Sequence, residues 1–176
     1  MVLRSYAKIN LTLKVNSKRQ DKLHEIQSFF CLISLKDKIV LKKVKQQRDK
    51  IIFKGPFADF VNKSNNTIIN LFKILRRHKL VTGYYSVTVF KNIPVFAGLG
   101  GGTGNAAFTL KYFMKKNISE ELLKEFENKI GTDFKLFFHK QGFLKNLGSI
   151  INFQKKQKLF FLLVQPRVKC STKEIY

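Results

Sequence analysis

At 176 residues, with 44% hydrophobic content and 18 Phe, the chain can build one packed domain, or one domain and the start of another. Apolar runs such as Leu159 to Val164 stop far short of the ~20 residues a membrane-spanning helix needs, and nothing after Met1 resembles an export signal, so the expected setting is the cytoplasm. The net charge of +23 suggests nucleic acid as a partner, yet the cations are overwhelmingly Lys spread over every segment, which favours a solvated basic surface.

The first predicted element is a half-buried strand in which Ala7, Ile9, Leu11, Leu13 and Val15 alternate with polar residues. "EIQSFFCLISL" (Glu25–Leu35) and "KIVLKKV" (Lys38–Val44) read as two further strands, and "IIFKG" as a fourth that closes on Gly55 and Pro56. In "NNTIINLFKILRRHKL", Ile68, Leu71, Phe72 and Leu75 recur at helical spacing, with Asn65 or Asn66 as N-cap. "YYSVTVFKN" returns to period two. After a glycine-rich stretch, "GNAAFTLKYFMKK" and "SEELLKEFENKIG" read as helices, the second capped by Ser119, and "SIINF" and "KLFFLLVQP" read as late strands. The order β-β-β-β-α-β-loop-α-α-β is that of an α+β domain. Cys31 and Cys170 are too few and too far apart for a disulfide framework or a zinc site, and read as two buried thiols.

The stretch "PVFAGLGGGTGNAAF" (Pro94 to Phe108) holds five glycines between a strand and a helix. That arrangement presents backbone N–H groups and a positive helix terminus to a phosphate, and a Cβ would block the anion's approach. The loop is not a Walker loop, because it contains no Lys, nor does it spell the dinucleotide G-x-G-x-x-G. By residue type alone, Asp133 in "IGTDF" is either a base for an attacking hydroxyl or a helix-terminal Asp bonding local backbone, and Lys8 is the solvent-facing member of its strand's alternation.

The loop, from Pro94 through "AGLGGGTGNAA", resembles the nucleotide loop of the galactokinase–homoserine kinase–mevalonate kinase (GHMP) superfamily. "AKINLTL" (Ala7–Leu13), "LHEIQSFF" (Leu23–Phe30), "GTDFKLFF" (Gly131–Phe138) and "CSTKEIY" (Cys170–Tyr176) resemble further motifs of that superfamily in the same order. They look most like the branch that phosphorylates 4-diphosphocytidyl-2-C-methyl-D-erythritol in non-mevalonate isoprenoid synthesis. The resemblance implies a GHMP-kinase N-terminal domain, ribosomal protein S5 domain 2-like, over residues 1–153, with the hinge and first strand of a second domain over residues 154–176. It implies ATP and Mg²⁺, and transfer of a phosphoryl group to a hydroxyl of a small-molecule substrate, with nucleic acid not expected.

By the same resemblance, Asp133 is the catalytic base and Lys8 its cationic partner. ATP is held by Pro94, Val95, Phe96, Ala97, Gly98, Leu99, Gly100, Gly101, Gly102, Thr103 and Gly104. The substrate is held by Asn10, His24, Thr172 and Tyr176, and the metal ligands stay open. Several positions depart from the family pattern. Leu23 stands where an aromatic residue is usual, Thr103-Gly104-Asn105 replaces Ser-Ser-Asp, and Phe134-Lys135 follows the aspartate. The family's second domain is expected to be cut short at Tyr176. A basic nucleic-acid-binding domain and an inactive kinase remnant are the alternative readings.

Overall fold

The axis of the molecule is one strand of 21 residues, His24–Val44 (β3). The structure, a computed structural model, describes residues 1–18, 24–114, 118–146 and 149–165. Where two strands were expected, there is one. The charged run Lys36-Asp37-Lys38 reads as a break, but Asp37 turns inward, fully buried, onto donors from another segment, and the strand continues.

Val2–Asn10 (β1) pairs antiparallel with β3, Val2 opposite Val40 and Asn10 opposite Phe30, with a register shift between Tyr6 and Lys8. The single strand expected through Val15 ends at Asn10, and Lys14–Lys18 (β2) pairs separately with the start of β3. The interruption has a local cause. Thr12 Oγ1 accepts from Phe29 N–H at 3.0 Å, and Ser28 Oγ donates to Thr12 O at 2.6 Å, so side chains replace ladder bonds there.

Lys50–Lys54 (β4), Thr67–Arg77 (α1) and Tyr84–Phe90 (β5) form a strand–helix–strand crossover, and β4 and β5 are parallel. Asn66 is the N-cap of α1, its side chain accepting from Ile69 N–H at 3.1 Å. Gln141–Asn146 (β6) and Ser149–Asn152 (β7) complete the sheet, whose order is β4-β5-β3-β6-β7. Because β1 and β5 both pair with Lys38–Val40, β1 must lie along the opposite edge of β3. Sequence reading missed β6. Its "QGFLKN" alternation is short and carries a glycine, whose Cβ would come within 3.0 Å of Ile151 O.

Gly101–Phe113 (α2) and Glu120–Lys129 (α3) pack with α1 over one face of the sheet. Ile39, Leu41, Val87 and Val89 from the sheet meet Leu71, Phe72 and Leu75 of α1, Ala107 and Leu110 of α2, and Phe126 of α3. Each such large side chain contributes on the order of 1.5–3 kcal/mol. Ser119 caps α3 as expected, accepting from Leu122 N–H. Cys31 is buried, and burial raises its thiol pKa; Cys170 lies outside the described residues.

The strand expected over "KLFFLLVQP" is not formed in its described part, residues 158–165. No strand among the described residues pairs with it, so its N–H and C=O groups join no ladder there. Phe160, Leu162 and Val164 are more than four-fifths exposed. No helix among the described residues is long and apolar enough to cross a membrane.

Candidate active site

β5 ends at Phe90, and the chain turns through Lys91, Asn92 and Ile93 into the glycine loop. Phe96, Gly98 and Gly100 all have positive φ, so the loop is a succession of left-handed turns. Gly100, at φ 65°, is the N-cap of α2, and no side chain caps that end. The first N–H groups of a helix have no partner within it. At α2 they belong to Gly101, Gly102 and Thr103, and the positive end of the helix dipole lies with them.

The structure supplies a second reason for glycine. A Cβ on Gly100 would stand 2.7 Å from Phe137 Cζ and 2.9 Å from Asp133 Oδ2, whereas one on Gly98 would meet nothing within 4 Å. The loop therefore lies directly on Asp133 and Phe137, and only a residue without a side chain fits at position 100.

Asp133 follows α3 at the N-cap position of a short 3₁₀ turn, Phe134–Phe138, without a side-chain capping bond, and Phe134 and Phe137 are buried. Those packed rings hold the carboxylate in place, and Phe134 stacks on Phe126 at 5.1 Å between centroids. Lys8 comes from β1. Its backbone N–H donates to Leu99 O at 3.0 Å, which attaches the strand to the loop, and its Nζ lies 3.5 Å from Asp133 Oδ2. The Lys8 side chain is only 7% exposed and Asp133 is 26% exposed, so the pair is partly desolvated with the carboxylate towards solvent. Lys8 is thus not the solvent-facing member of its strand. The Thr103 hydroxyl is close by: a Cβ on Gly131 would stand 2.6 Å from Thr103 Oγ1 and 3.2 Å from Asp133 Oδ1. Behind Phe137, Lys111 donates to the Phe137 carbonyl at 2.6 Å, and burial lowers its pKa.

A cavity of about 380 Å³, within the size range of small-ligand sites, lies over the loop. Pro94 through Thr103 all line it, but Gly104 does not. Gly104 faces inward, where a Cβ would stand 2.8 Å from Phe137 Cε1. Sequence reading missed the wall that includes Asn62, Asn65, Asn66 and Thr67. The Asn-rich run before α1 was the available signal, and capping accounted for only one of its residues. Thr67 Oγ1 also donates to Gly102 O at 2.8 Å, which ties this wall to the loop.

Of the expected substrate residues, Asn10 is exposed at the end of β1, two residues beyond Lys8, and His24 opens β3 opposite Lys18. Thr172 and Tyr176, like Leu23, lie outside the described residues. Among the described residues no three His, Cys, Asp or Glu side chains gather as a metal site.

The sequence and the fold are similar to those of known proteins. Residues 66–136 match the family of GHMP kinases N terminal domains. The chain is 39% identical, over 99% of its length, to a Pelagibacter ubique protein named 4-diphosphocytidyl-2-C-methyl-D-erythritol kinase. It covers 63% of that relative. The chloroplastic/chromoplastic protein of that name from Solanum lycopersicum is 32% identical over the whole chain, which covers 45% of it. A crystal structure of 4-(cytidine 5'-diphospho)-2C-methyl-D-erythritol kinase superposes with a TM-score of 0.62 at 25% identity, over 86% of this chain and 54% of that one. A mevalonate pyrophosphate decarboxylase from Streptococcus pyogenes shares the fold, with a TM-score of 0.64 at 14% identity over 99% of this chain and 58% of that one. The chain has the mixed α/β fold of the GHMP-kinase N-terminal domain, whose family model it matches over residues 66–136.

Proposed function

We propose that the chain is the nucleotide-binding portion of an ATP-dependent kinase that phosphorylates a hydroxyl of 4-diphosphocytidyl-2-C-methyl-D-erythritol. The observation that carries this reading is the meeting of Lys8, Asp133 and the uncapped N-terminus of α2 around one loop. The names of the relatives supply the substrate.

In this reading the triphosphate of MgATP lies on the N–H groups of Gly101, Gly102 and Thr103. The substrate hydroxyl oxygen attacks the γ-phosphorus, Asp133 takes the hydroxyl proton, and the bond from the γ-phosphorus to the β–γ bridging oxygen breaks to leave ADP. Lys8 offsets charge that develops on the transferring group. With Asp133 as the carboxylate beside the loop, Mg²⁺ would be held mainly by phosphate oxygens and water, and the Thr103 hydroxyl would be a neutral donor nearby. Asn10, beyond Lys8 on β1, would face the substrate side of the cleft, with His24, Thr172 and Tyr176 assigned to the cytidine end by resemblance.

The test is ADP formation with the diphosphocytidyl substrate, by the chain alone and by the chain joined to the remaining part of the Pelagibacter relative. Activity that needs both ATP and that substrate supports the reading. Binding of generic RNA with a steep salt slope, and no binding of MgATP by either version, would replace it with the nucleic-acid reading.

A further inference from the structure

One fully buried ion pair plays no part in the chemistry above. Asp37, in the middle of β3, is 0% exposed, and Lys91, just past β5, is 2% exposed. Lys91 Nζ donates to Asp37 Oδ2. Asp37 Oδ1 accepts from Asn92 N–H at 2.7 Å and from Ile93 N–H at 2.8 Å. One carboxylate thus holds three donors from three consecutive residues, and the next residue, Pro94, has no N–H to offer. Stability alone is a weak reason for such a pair, because well-packed apolar groups often replace buried ion pairs without loss.

Its location supplies a better reason. Lys91 and Ile93 lie immediately under the first turn of α2. A Cβ on Gly101 would come within 3.2 Å of Lys91 Nζ and 2.9 Å of Ile93 Cγ2. The backbone of Lys91 is also held by β4, its N–H donating to Lys54 O at 2.7 Å. The sheet therefore grips the loop's stem through Asp37, and because the carboxylate neutralises the ammonium under Gly101, the pair acts on the loop through position.

We propose that Asp37 is a positioning residue for the glycine loop. Through Lys91, Asn92 and Ile93 it fixes where the loop leaves the sheet. The consequence for nucleotides rests on the kinase reading; the effect on the loop does not.

The test uses the whole chain carrying Asp37→Asn, which keeps the shape and removes the charge. Amide hydrogen exchange should accelerate about tenfold across residues 92–103, the size of one charged hydrogen bond, while α3 keeps its protection. Affinity for ATP should fall by about the same factor, and affinity for adenosine should change less than about twofold, because the cradle serves the phosphates. If Asp37→Asn does not fold, the double variant Asp37→Asn with Lys91→Met leaves no unpaired buried charge and should show the same acceleration. Unchanged loop exchange overturns the proposal, as does exchange that rises equally in the loop and in α3. Failure of the unaltered chain to bind ATP would sink the kinase reading, and loop exchange would still decide the role of Asp37.

Discussion

The hydroxyl of Thr67 donates to the carbonyl of Gly102 across 2.8 Å, joining the first residue of α1 to the first turn of α2. The two ends meet at the cavity, so the bond sets its width. Thr67→Val removes the donor and keeps the shape. Stability should fall by about 1 kcal/mol, the net worth of one hydrogen bond, and ATP affinity should drop a few-fold. Thr67→Ser should restore both. A Thr67→Val chain with unchanged melting and unchanged ATP binding would show that the bond is incidental.

Asp133→Asn separates chemistry from binding. It keeps the packing against Gly100 and Phe137 but removes the proposed base. In the version extended with the relative's remaining part, kcat should fall by about 10²–10⁴, the usual contribution of a positioned base, while KM for ATP stays within a few-fold. Comparable losses in kcat and in nucleotide affinity would assign Asp133 a structural role instead.

Gly100→Ala should be far more damaging than Gly98→Ala. Both have positive φ, which costs an L-residue about 1–2 kcal/mol. At position 98 the added methyl has open space, whereas at position 100 it strikes Phe137 and Asp133. Gly98→Ala should therefore lower the melting temperature modestly, and Gly100→Ala should lower it further and weaken ATP binding. Equal effects in thermal melting and titration would refute this account of the loop.

His139 gives a pH dependence whose sign can be worked out. Burial lowers its pKa; the 2.5 Å hydrogen bond to Asn152 opposes this, and the neighbouring Lys111 ammonium adds to the lowering. The unfolded chain then binds a proton more readily than the folded one at pH values just below the ordinary value of about 6.5. This contribution to stability is complete above that pH and is lost as pH falls through the folded value. Denaturant melts between pH 7 and pH 5 should show the decline, and His139→Gln should flatten it.

Phe160, Leu162 and Val164 are exposed on a segment with no regular structure. Such a run is an aggregation liability. Replacing all three with Ser should raise the solubility limit of the chain and leave its melting temperature within about 1 °C, since surface changes away from packed features are nearly neutral. A large fall in melting temperature would mean that these side chains support the core.

The helices were legible because their signals are local. Asn66 and Ser119 are caps within three residues of the groups they bond, and Ile68, Leu71, Phe72 and Leu75 state their face by spacing alone. The glycine loop was legible for the same reason, as a run of residue types between a strand and a helix. The strands were read less well. β3 continues through Asp37 only because Lys91, Asn92 and Ile93 arrive from another part of the chain to satisfy the carboxylate. The described part of "KLFFLLVQP" is strand-like in composition, but a strand needs a neighbour, and it has none among the described residues.

The chain's own wording therefore determined the residue types of the site and the order in which they appear. Tertiary structure decided which of them meet. Lys8 is an outward-facing residue by strand periodicity, yet it is buried beside Asp133 because β1 bonds to the loop at Leu99 and the shift after Tyr6 turns it inward. Gly104 belongs to the same glycine run as Gly101, yet it faces Phe137 because α2 has already begun and its backbone has rotated the residue towards the core. Contacts between residues far apart in sequence leave no periodic trace, since each depends on the path of every element between them.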